Sequence, residues 1–151
     1  MLKAFRRAGL TLATAESCTG GMVAAVLTEI AGSSEVVERG FVTYSNDAKH
    51  ELLGVPAGLI AARGAVSKEV ALAMVRGAIK KSRAGVAVSI TGIAGPSGAR
   101  PGKPVGLVHL AALKRGGRPI HARRVFKGNR AQVRAASVIE ALALLRRAAG
   151  V

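Results

Sequence analysis

The chain has 151 residues, half of them hydrophobic, and carries 23 basic and 8 acidic side chains, for a net charge of +15. This length allows one domain with a substantial core but not two ordinary domains, so we predict a single domain over residues 1–151. The one cysteine excludes an internal disulfide framework, and three scattered histidines give no zinc pattern, so no metal site is predicted. No apolar run reaches the roughly 18–20 residues of a membrane span and no secretion signal is recognisable, so we expect a cytoplasmic protein without a membrane partner.

The positive charge is concentrated in the second part of the chain. Residues 1–50 carry five basic and five acidic side chains, whereas residues 51–151 carry 18 basic and three acidic ones. Such an excess favours an anionic partner, either nucleic acid or a phosphorylated small molecule. It is also typical of a solvated, arginine-rich surface without any ligand. With only one tyrosine, three phenylalanines and no tryptophan, few aromatic rings are present to stack on bases, so nucleic acid is the less favoured partner.

The first part of the chain alternates between helix and strand patterns. The predicted elements are a short helix over 2–8, a buried strand over 11–15, a helix over about 18–31, a strand over 36–45 and a short helix over 46–54. The helix over 18–31 is apolar almost all round, which is typical of a buried helix. Asn46 is predicted to cap the helix that follows it, and residues 56–64 are predicted to be a loop.

The second part begins with an amphipathic helix over 67–82, capped by Ser67. Strands are predicted over 86–91, 105–113 and 119–126, with a Gly/Pro-rich loop at 92–104, a hairpin turn at 115–118 and a closing helix over 129–148. Helices and strands alternate in the first part of the chain, and an antiparallel hairpin follows in the second, which predicts the α/β class. We expect a mixed sheet covered by helices on both faces, in a three-layer α/β/α sandwich. Ligands of such sheets bind in loops beyond the strand ends, which are here 16–21, 91–98 and the approach to 129.

Ser17 is the first candidate catalytic residue. It lies where the strand over 11–15 passes into a helix, and backbone N–H groups at a helix start have no intrahelical partner. Such groups can hold a developing oxyanion, which makes the position suitable for an acyl-transfer nucleophile. An ordinary capping serine is the alternative interpretation.

Cys18 is the rival nucleophile, because a helix N-terminus lowers the pKa of a thiol. No histidine lies in the other candidate loops to act as its base. A small cysteine in such a position is more often buried and inert.

Lys49 is the candidate base. With Asn46 as the cap, Lys49 is the third helical residue, where a glutamate is favoured and a lysine is electrostatically misplaced. If the lysine is also buried, both effects lower its pKa, and a neutral amine is a competent base for a serine hydroxyl. Tyr44, at the end of the preceding strand, could relay or steady the proton. The alternatives are a solvated surface lysine and a core tyrosine.

Two further features are typical of ligand binding. The stretch Thr91–Gly98 offers hydroxyls and a glycine-freed backbone, although it matches neither a Walker A motif nor GxGxxG. Arg130 and Arg134 are four residues apart at the start of the closing helix and therefore project from one face. Paired guanidinium groups there suit a phosphate, with two solvated arginines as the alternative.

Several segments together resemble one known family, the C-terminal domain of the competence/damage-inducible CinA proteins, whose stand-alone members are nicotinamide-nucleotide amidases. The matching stretches are TAESCTGG, ERGFVTYSNDAK, GAVSKEVA, TGIAGPSG, KPVG and FKGNRAQVRAASVIEAL. They cover nearly the whole chain in family order. The family's usual Gly-Asp-Arg before the closing helix stands here as Gly128-Asn129-Arg130.

The resemblance implies an α/β/α fold and hydrolysis of the carboxamide of nicotinamide mononucleotide, without metal or cofactor, in a homo-oligomer. It assigns catalysis to Ser17, Lys49 and Tyr44. The residues implied to contact substrate are Thr19, Gly20 and Gly21 around the oxyanion, Asn46 beside the base, Thr91, Gly92 and Gly95 in the nucleotide pocket, and Arg130 with Arg134 at the phosphate. A non-catalytic nucleotide- or DNA-associated binding protein is the alternative function.

Overall fold

The computed structural model describes residues 1–151 as an α/β protein of six α-helices and five strands. The helices are α1 (Leu2–Arg7), α2 (Met22–Thr28), α3 (Asn46–Leu53), α4 (Ala57–Arg63), α5 (Lys68–Lys80) and α6 (Arg130–Ala149). The strands are β1 (Leu12–Glu16), β2 (Val37–Val42), β3 (Val86–Gly92), β4 (Leu107–Lys114) and β5 (Ile120–Val125). All five predicted strands are therefore present, with ends shifted by at most three residues.

The five strands form one mixed sheet in the order β2-β1-β3-β4-β5. Strands β2 and β3 run parallel to β1 on either side of it, whereas β4 and β5 continue the sheet antiparallel to β3. The carboxyl ends of β1, β2 and β3 consequently meet at one edge of the sheet. This edge is where ligand-binding loops are expected in such folds.

Helices cover both faces of the sheet, so the predicted three-layer α/β/α sandwich is confirmed. Along each strand alternate side chains point to opposite faces, and the two sets enter different cores. One core packs α1, α2 and α6 against residues such as Val88 and Leu110. The other packs α3, α4 and α5 against small residues such as Ala87 and Ala111. Alanines on the second face let α5 lie close to the sheet, and α3 packs against α5.

The prediction of a loop over 56–64 is wrong, because residues 57–63 form helix α4. Pro56 suits the residue before a helix, and Ile60 buries its side chain in the second core, which stabilises a turn-rich sequence as helix. The structure contains no helix with both the length and the apolar content that a membrane crossing requires.

The prediction of a buried helix over 18–31 is also wrong in two respects. The helix α2 begins only at Met22, because residues 17–21 form a turn first. Its apolar residues are not all enclosed, since Val26 is 46% exposed and Ile30, just beyond the helix, is 56% exposed. Within α2 only Val23 and Leu27 are buried, at the i, i+4 spacing of one helix face.

Candidate active site

The predicted candidate residues meet at the carboxyl edge of the sheet. Ser17 directly follows β1, residues 43–45 follow β2, and Thr91 and Gly92 end β3. Because these three strands are parallel neighbours, their following loops lie side by side. Helix α3 follows residues 43–45 and places Lys49 at the same edge of the sheet.

Ser17 and Lys49 form a hydrogen-bonded pair 32 residues apart in sequence. The distance between Lys49 Nζ and Ser17 Oγ is 3.1 Å. Both residues are buried, with Lys49 only 1% and Ser17 8% exposed. The distance lies within the range over which a base removes a proton from a nucleophile's hydroxyl.

Backbone carbonyls surround the rest of the Lys49 amine. Its Nζ donates to the carbonyl of Thr43 at 2.9 Å and to those of Tyr44 and Ser45 at 3.3 Å each. Burial is the main cause that lowers the pKa of Lys49 below its ordinary 10.5. No carboxylate forms an ion pair with this lysine. A neutral lysine amine has two N–H groups to donate to these carbonyls and one lone pair that can accept the proton of the serine hydroxyl.

The cap of α3 differs from the prediction by one residue. Ser45, not Asn46, is the N-cap, because its Oγ accepts a hydrogen bond from the Ala48 amide at 3.0 Å. Lys49 is therefore the fourth helical residue rather than the third. It still lies in the first turn of the helix, and burial is the main cause of its lowered pKa.

Tyr44 contributes its backbone to the lysine, while its side chain points elsewhere. The ring is 58% exposed, and its hydroxyl accepts a hydrogen bond from Arg130 Nη2 at 2.9 Å. The phenol forms no hydrogen bond with Ser17 or Lys49. Tyr44 therefore stands at the mouth of the site, held by α6.

Glu16 organises the turn that carries the serine. Its carboxylate accepts hydrogen bonds from the amides of Gly21, Val23 and Ala24 at 2.9–3.1 Å, and the residue is fully buried. These are N–H groups of the first turn of α2, which otherwise have no partner. This role of Glu16 is not among the predictions made above, although an acid between a buried strand and a helix start is the signal that indicates it.

The turn leaves two other amides available beside Ser17. The Gly20 amide donates to the Ser17 carbonyl at 3.0 Å and the Gly21 amide is bound to Glu16. The amides of Cys18 and Thr19 donate to no backbone carbonyl. Gly20 and Gly21 serve the turn through their positive φ angles of 60° and 97°, which side-chain-bearing residues rarely adopt.

We expect Glu16→Gln to destabilise the protein by about 2 kcal/mol, because the new amide group meets a backbone N–H where an oxygen accepted it. The matched control is Glu29→Gln at the exposed carboxyl end of α2, for which a change within about 0.5 kcal/mol is expected. Urea unfolding followed by circular dichroism measures both. Equal stabilities of the two variants would contradict the role given to Glu16.

Cys18 lies beside the serine but has the wrong environment for a nucleophile. Its side chain is buried, and burial raises the pKa of the thiol from 9.0 to about 11. The thiol is therefore protonated at neutral pH, contrary to the lowering that a helix start alone would produce.

The predicted nucleotide-pocket residues have mainly structural contacts. The Thr91 hydroxyl donates to the Ala65 carbonyl at 2.8 Å and is 1% exposed. A Cβ at Gly92 would lie 2.9 Å from the Leu107 carbonyl oxygen. The carbonyl of Gly95 accepts a hydrogen bond from Arg130 Nη1 at 3.1 Å.

Arg130 and Arg134 join α6 to the loops of the site. Arg130 links Gly95 to Tyr44, and Arg134 Nη2 donates to the Thr19 carbonyl at 2.9 Å. Asn129 caps α6 through its side chain, in a capping box with Gln132, so the asparagine performs the capping that an aspartate would. No group of three or more His, Cys, Asp or Glu side chains is arranged to ligate a metal ion.

Fold and site thus define an α/β protein with a buried serine–lysine pair at the carboxyl edge of its sheet. The sequence profile of the CinA C-terminal domain matches residues 1–149. The nicotinamide-nucleotide amidohydrolase PncC of Escherichia coli K12 is 50% identical over 143 residues, which cover 95% of this chain and 87% of that protein. The chain belongs to the CinA C-terminal domain family.

Other relatives are longer or known from crystals. A CinA-like protein of Geobacter sulfurreducens is 50% identical over 95% of this chain, but the match spans only 34% of that protein, about a third of its length. The crystal structure of the competence/damage inducible protein CihA of Agrobacterium tumefaciens superposes with a TM-score of 0.95 at 51% identity, covering 97% of this chain and 90% of that one. The crystal structure of a CinA superfamily protein of Escherichia coli superposes with a TM-score of 0.90 at 37% identity, covering 95% of this chain and 83% of that one.

Proposed function

We propose that this protein is an amidase that hydrolyses the carboxamide of nicotinamide mononucleotide to nicotinate mononucleotide and ammonia. The observation that carries the proposal is the 3.1 Å contact between the Ser17 hydroxyl and the buried amine of Lys49. The similarity to PncC over nearly the full length of both chains supports the choice of substrate.

In the proposed reaction the neutral amine of Lys49 accepts the Ser17 proton as Oγ attacks the carboxamide carbon. The carbonyl oxygen becomes negative and receives hydrogen bonds from the amides of Cys18 and Thr19, which donate to no backbone carbonyl. The Lys49 ammonium then gives its proton to the departing nitrogen, and ammonia leaves an ester on Ser17. A water deprotonated by Lys49 cleaves this ester, which releases the carboxylate and restores the serine.

Tyr44 and Arg130 border the entrance to this pair, and we assign them to positioning of the substrate rather than to proton transfer. Their hydrogen bond ties the end of β2 to α6, and Arg130 also binds the 93–103 loop through Gly95. Arg134, by holding the Thr19 carbonyl, would fix the turn whose amides face the oxyanion.

Ammonia release from nicotinamide mononucleotide, with free nicotinamide as the comparison substrate, tests the proposal. Wild-type protein is expected to release ammonia from the nucleotide, and Ser17→Ala is expected to lose at least about 1000-fold in kcat. Ser34→Ala, an exposed serine in the 3-10 helix at residues 33–35, is the matched control and should retain activity. Absence of ammonia with the wild type, or full activity of Ser17→Ala with its fold intact, would refute the proposal.

A further inference from the structure

Three buried threonine hydroxyls form no hydrogen bond with any protein group, namely those of Thr14, Thr19 and Thr43. All three residues are at most 1% exposed. A hydroxyl that loses its hydrogen bonds to water on folding and gains none in return destabilises the folded protein. Because such groups are rare in native structures, each one calls for an explanation. The position of Thr43 indicates that its hydroxyl serves the reaction.

The pairing of β1 with β2 sets Thr43 directly beside Ser17. Glu16 pairs with Val42 at the end of the parallel ladder. The Thr43 amide then donates to the Glu16 carbonyl at 2.8 Å, which continues the ladder for one more residue. Thr43 and Ser17 are therefore cross-strand neighbours.

The two side chains project from the same face of the sheet. Alternate residues along an extended strand share a face. Ala15 and Phe41 both pack in the second core, against α3, α4 and α5. Ser17 and Thr43 follow them by two residues and therefore project to this face, from which Lys49 reaches the serine. Neighbouring strands lie about 4.8 Å apart, so the two hydroxyls are close.

Ser17 has a second cross-strand neighbour, Thr91 on β3. The Ser17 amide donates to the Ile90 carbonyl at 3.0 Å, which extends the ladder between β1 and β3 in the same way. The Thr91 hydroxyl, however, donates to the Ala65 carbonyl at 2.8 Å. Of the two hydroxyls that flank Ser17, only that of Thr43 is therefore without a partner.

We propose that the Thr43 hydroxyl donates a hydrogen bond to Ser17 Oγ while that oxygen carries negative charge. In the proposed reaction the oxygen becomes negative twice, as Lys49 removes its proton and again as the ester on Ser17 breaks. Thr43 keeps its own proton throughout, so Lys49 remains the only base. This inference rests on the proposed function, in which Ser17 is the nucleophile.

The hydrogen bond forms as the charge develops. In the resting protein Ser17 Oγ is a neutral hydroxyl at 3.1 Å from Lys49 Nζ, and Thr43 is not bonded to it. Rotation about the Cα–Cβ bond of a threonine aims its hydroxyl in three staggered directions, and cross-strand threonine–serine pairs are close enough to hydrogen-bond. A charged oxygen attracts the donor more strongly than a neutral one, and hydrogen bonds of catalytic groups often tighten only in the transition state.

A purely structural role for the Thr43 hydroxyl is the competing explanation. Valine has nearly the shape of threonine and the same preference for strands, so Thr43→Val removes little besides the hydroxyl. If the hydroxyl stabilised the fold, this variant would unfold more easily than the wild type. Removal of a buried hydroxyl that has no partner should instead leave stability unchanged or raise it.

The kcat for ammonia release and the urea midpoint of unfolding are measured on the same variants. Thr43→Val is expected to lower kcat about 10- to 100-fold, as for loss of a hydrogen bond to a charged group, and to change KM less than about twofold. Its urea midpoint should be no lower than that of the wild type. Thr43→Ser, which keeps the hydroxyl, should retain kcat within about threefold.

Thr14→Val is the matched control. It removes another buried hydroxyl without a partner from the same sheet. Thr14 lies between Ala13 and Ala15, which pack in the second core, so its side chain projects to the opposite face from Ser17. The variant should leave kcat unchanged.

The rate at which a small fluorophosphonate labels Ser17, followed by mass spectrometry, measures the reactivity of this hydroxyl without the nucleotide. Thr43→Val should slow the labelling at least about tenfold, whereas Thr14→Val should not change it.

Four results would overturn the inference: wild-type kcat or labelling in Thr43→Val, a lowered urea midpoint of this variant, failure of Thr43→Ser to retain kcat, or a wild-type Ser17 that is not labelled. Labelling that depends on Thr43 in a protein that releases no ammonia would refute the amidase proposal and leave the role of Thr43 standing.

Discussion

Replacing Lys49 with methionine is expected to lower kcat for ammonia release by at least about 1000-fold. The amine is the only titratable group within hydrogen-bond distance of Ser17 Oγ, and methionine keeps its apolar stem while removing the base. Because Lys49 is 1% exposed, the variant exchanges one buried side chain for another of similar size. The measurement is kcat with nicotinamide mononucleotide, with circular dichroism to show that the fold persists.

The matched control is Lys80→Met, an exposed lysine in α5, which should leave kcat unchanged. A Lys49→Met protein with more than about a tenth of the wild-type kcat would contradict the assignment of the base.

The wild-type protein should also show the titration of the proposed base. Only the neutral amine accepts a proton, so kcat/KM rises with pH until Lys49 is deprotonated in the free protein. Burial lowers the pKa of Lys49, so the curve should level off below the ordinary value of 10.5. A kcat/KM that falls across the alkaline range would contradict this sign.

Gly77→Ala should produce the largest loss of stability, about 3 kcal/mol, because a Cβ there would overlap the Leu53 carbonyl oxygen. Gly77 lies in α5 and Leu53 ends α3, so the substitution forces these two helices apart. Since α3 carries Lys49, the serine–lysine pair should separate and kcat should fall as well. Urea unfolding and the ammonia assay measure the two effects.

Gly58→Ala supplies the matched control in another helix. A Cβ at this position in α4 would meet no atom within 4 Å, so alanine should stabilise the protein slightly, by about 0.5–1 kcal/mol. Equal stabilities of the two glycine variants would contradict the expectation that the close approach of α3 and α5 requires a glycine at position 77.

The strands and the location of the site could be predicted because both depend on local sequence patterns. Helix α4 could not, since Pro56 and Gly58 are typical of a loop and its stability comes from burying Ile60 in a core built by distant segments. The junctions holding Ser17 and Lys49 were recognisable as loops and helix starts. Their 3.1 Å contact depends on parallel pairing of β1 and β2, which brings the following segments together.

The three carbonyls around the Lys49 amine illustrate what sequence patterns leave out. Every residue has a backbone carbonyl, so the residue types at 43–45 do not indicate that these three oxygens point to one amine. Their arrangement follows from the geometry of the turn. Glu16 differs, since its position between a buried strand and a helix start gives a readable signal.

The enclosed thiol of Cys18 has a practical consequence. Peroxides and alkylating agents attack the thiolate form of cysteine. With a pKa of about 11, only about one molecule in 10,000 carries a thiolate at pH 7. The residue is also only 6% exposed, so reagents have little access to it. The proposed hydroxyl chemistry next to it should therefore continue unchanged during oxidative stress. Purified protein should keep its full turnover in air without dithiothreitol.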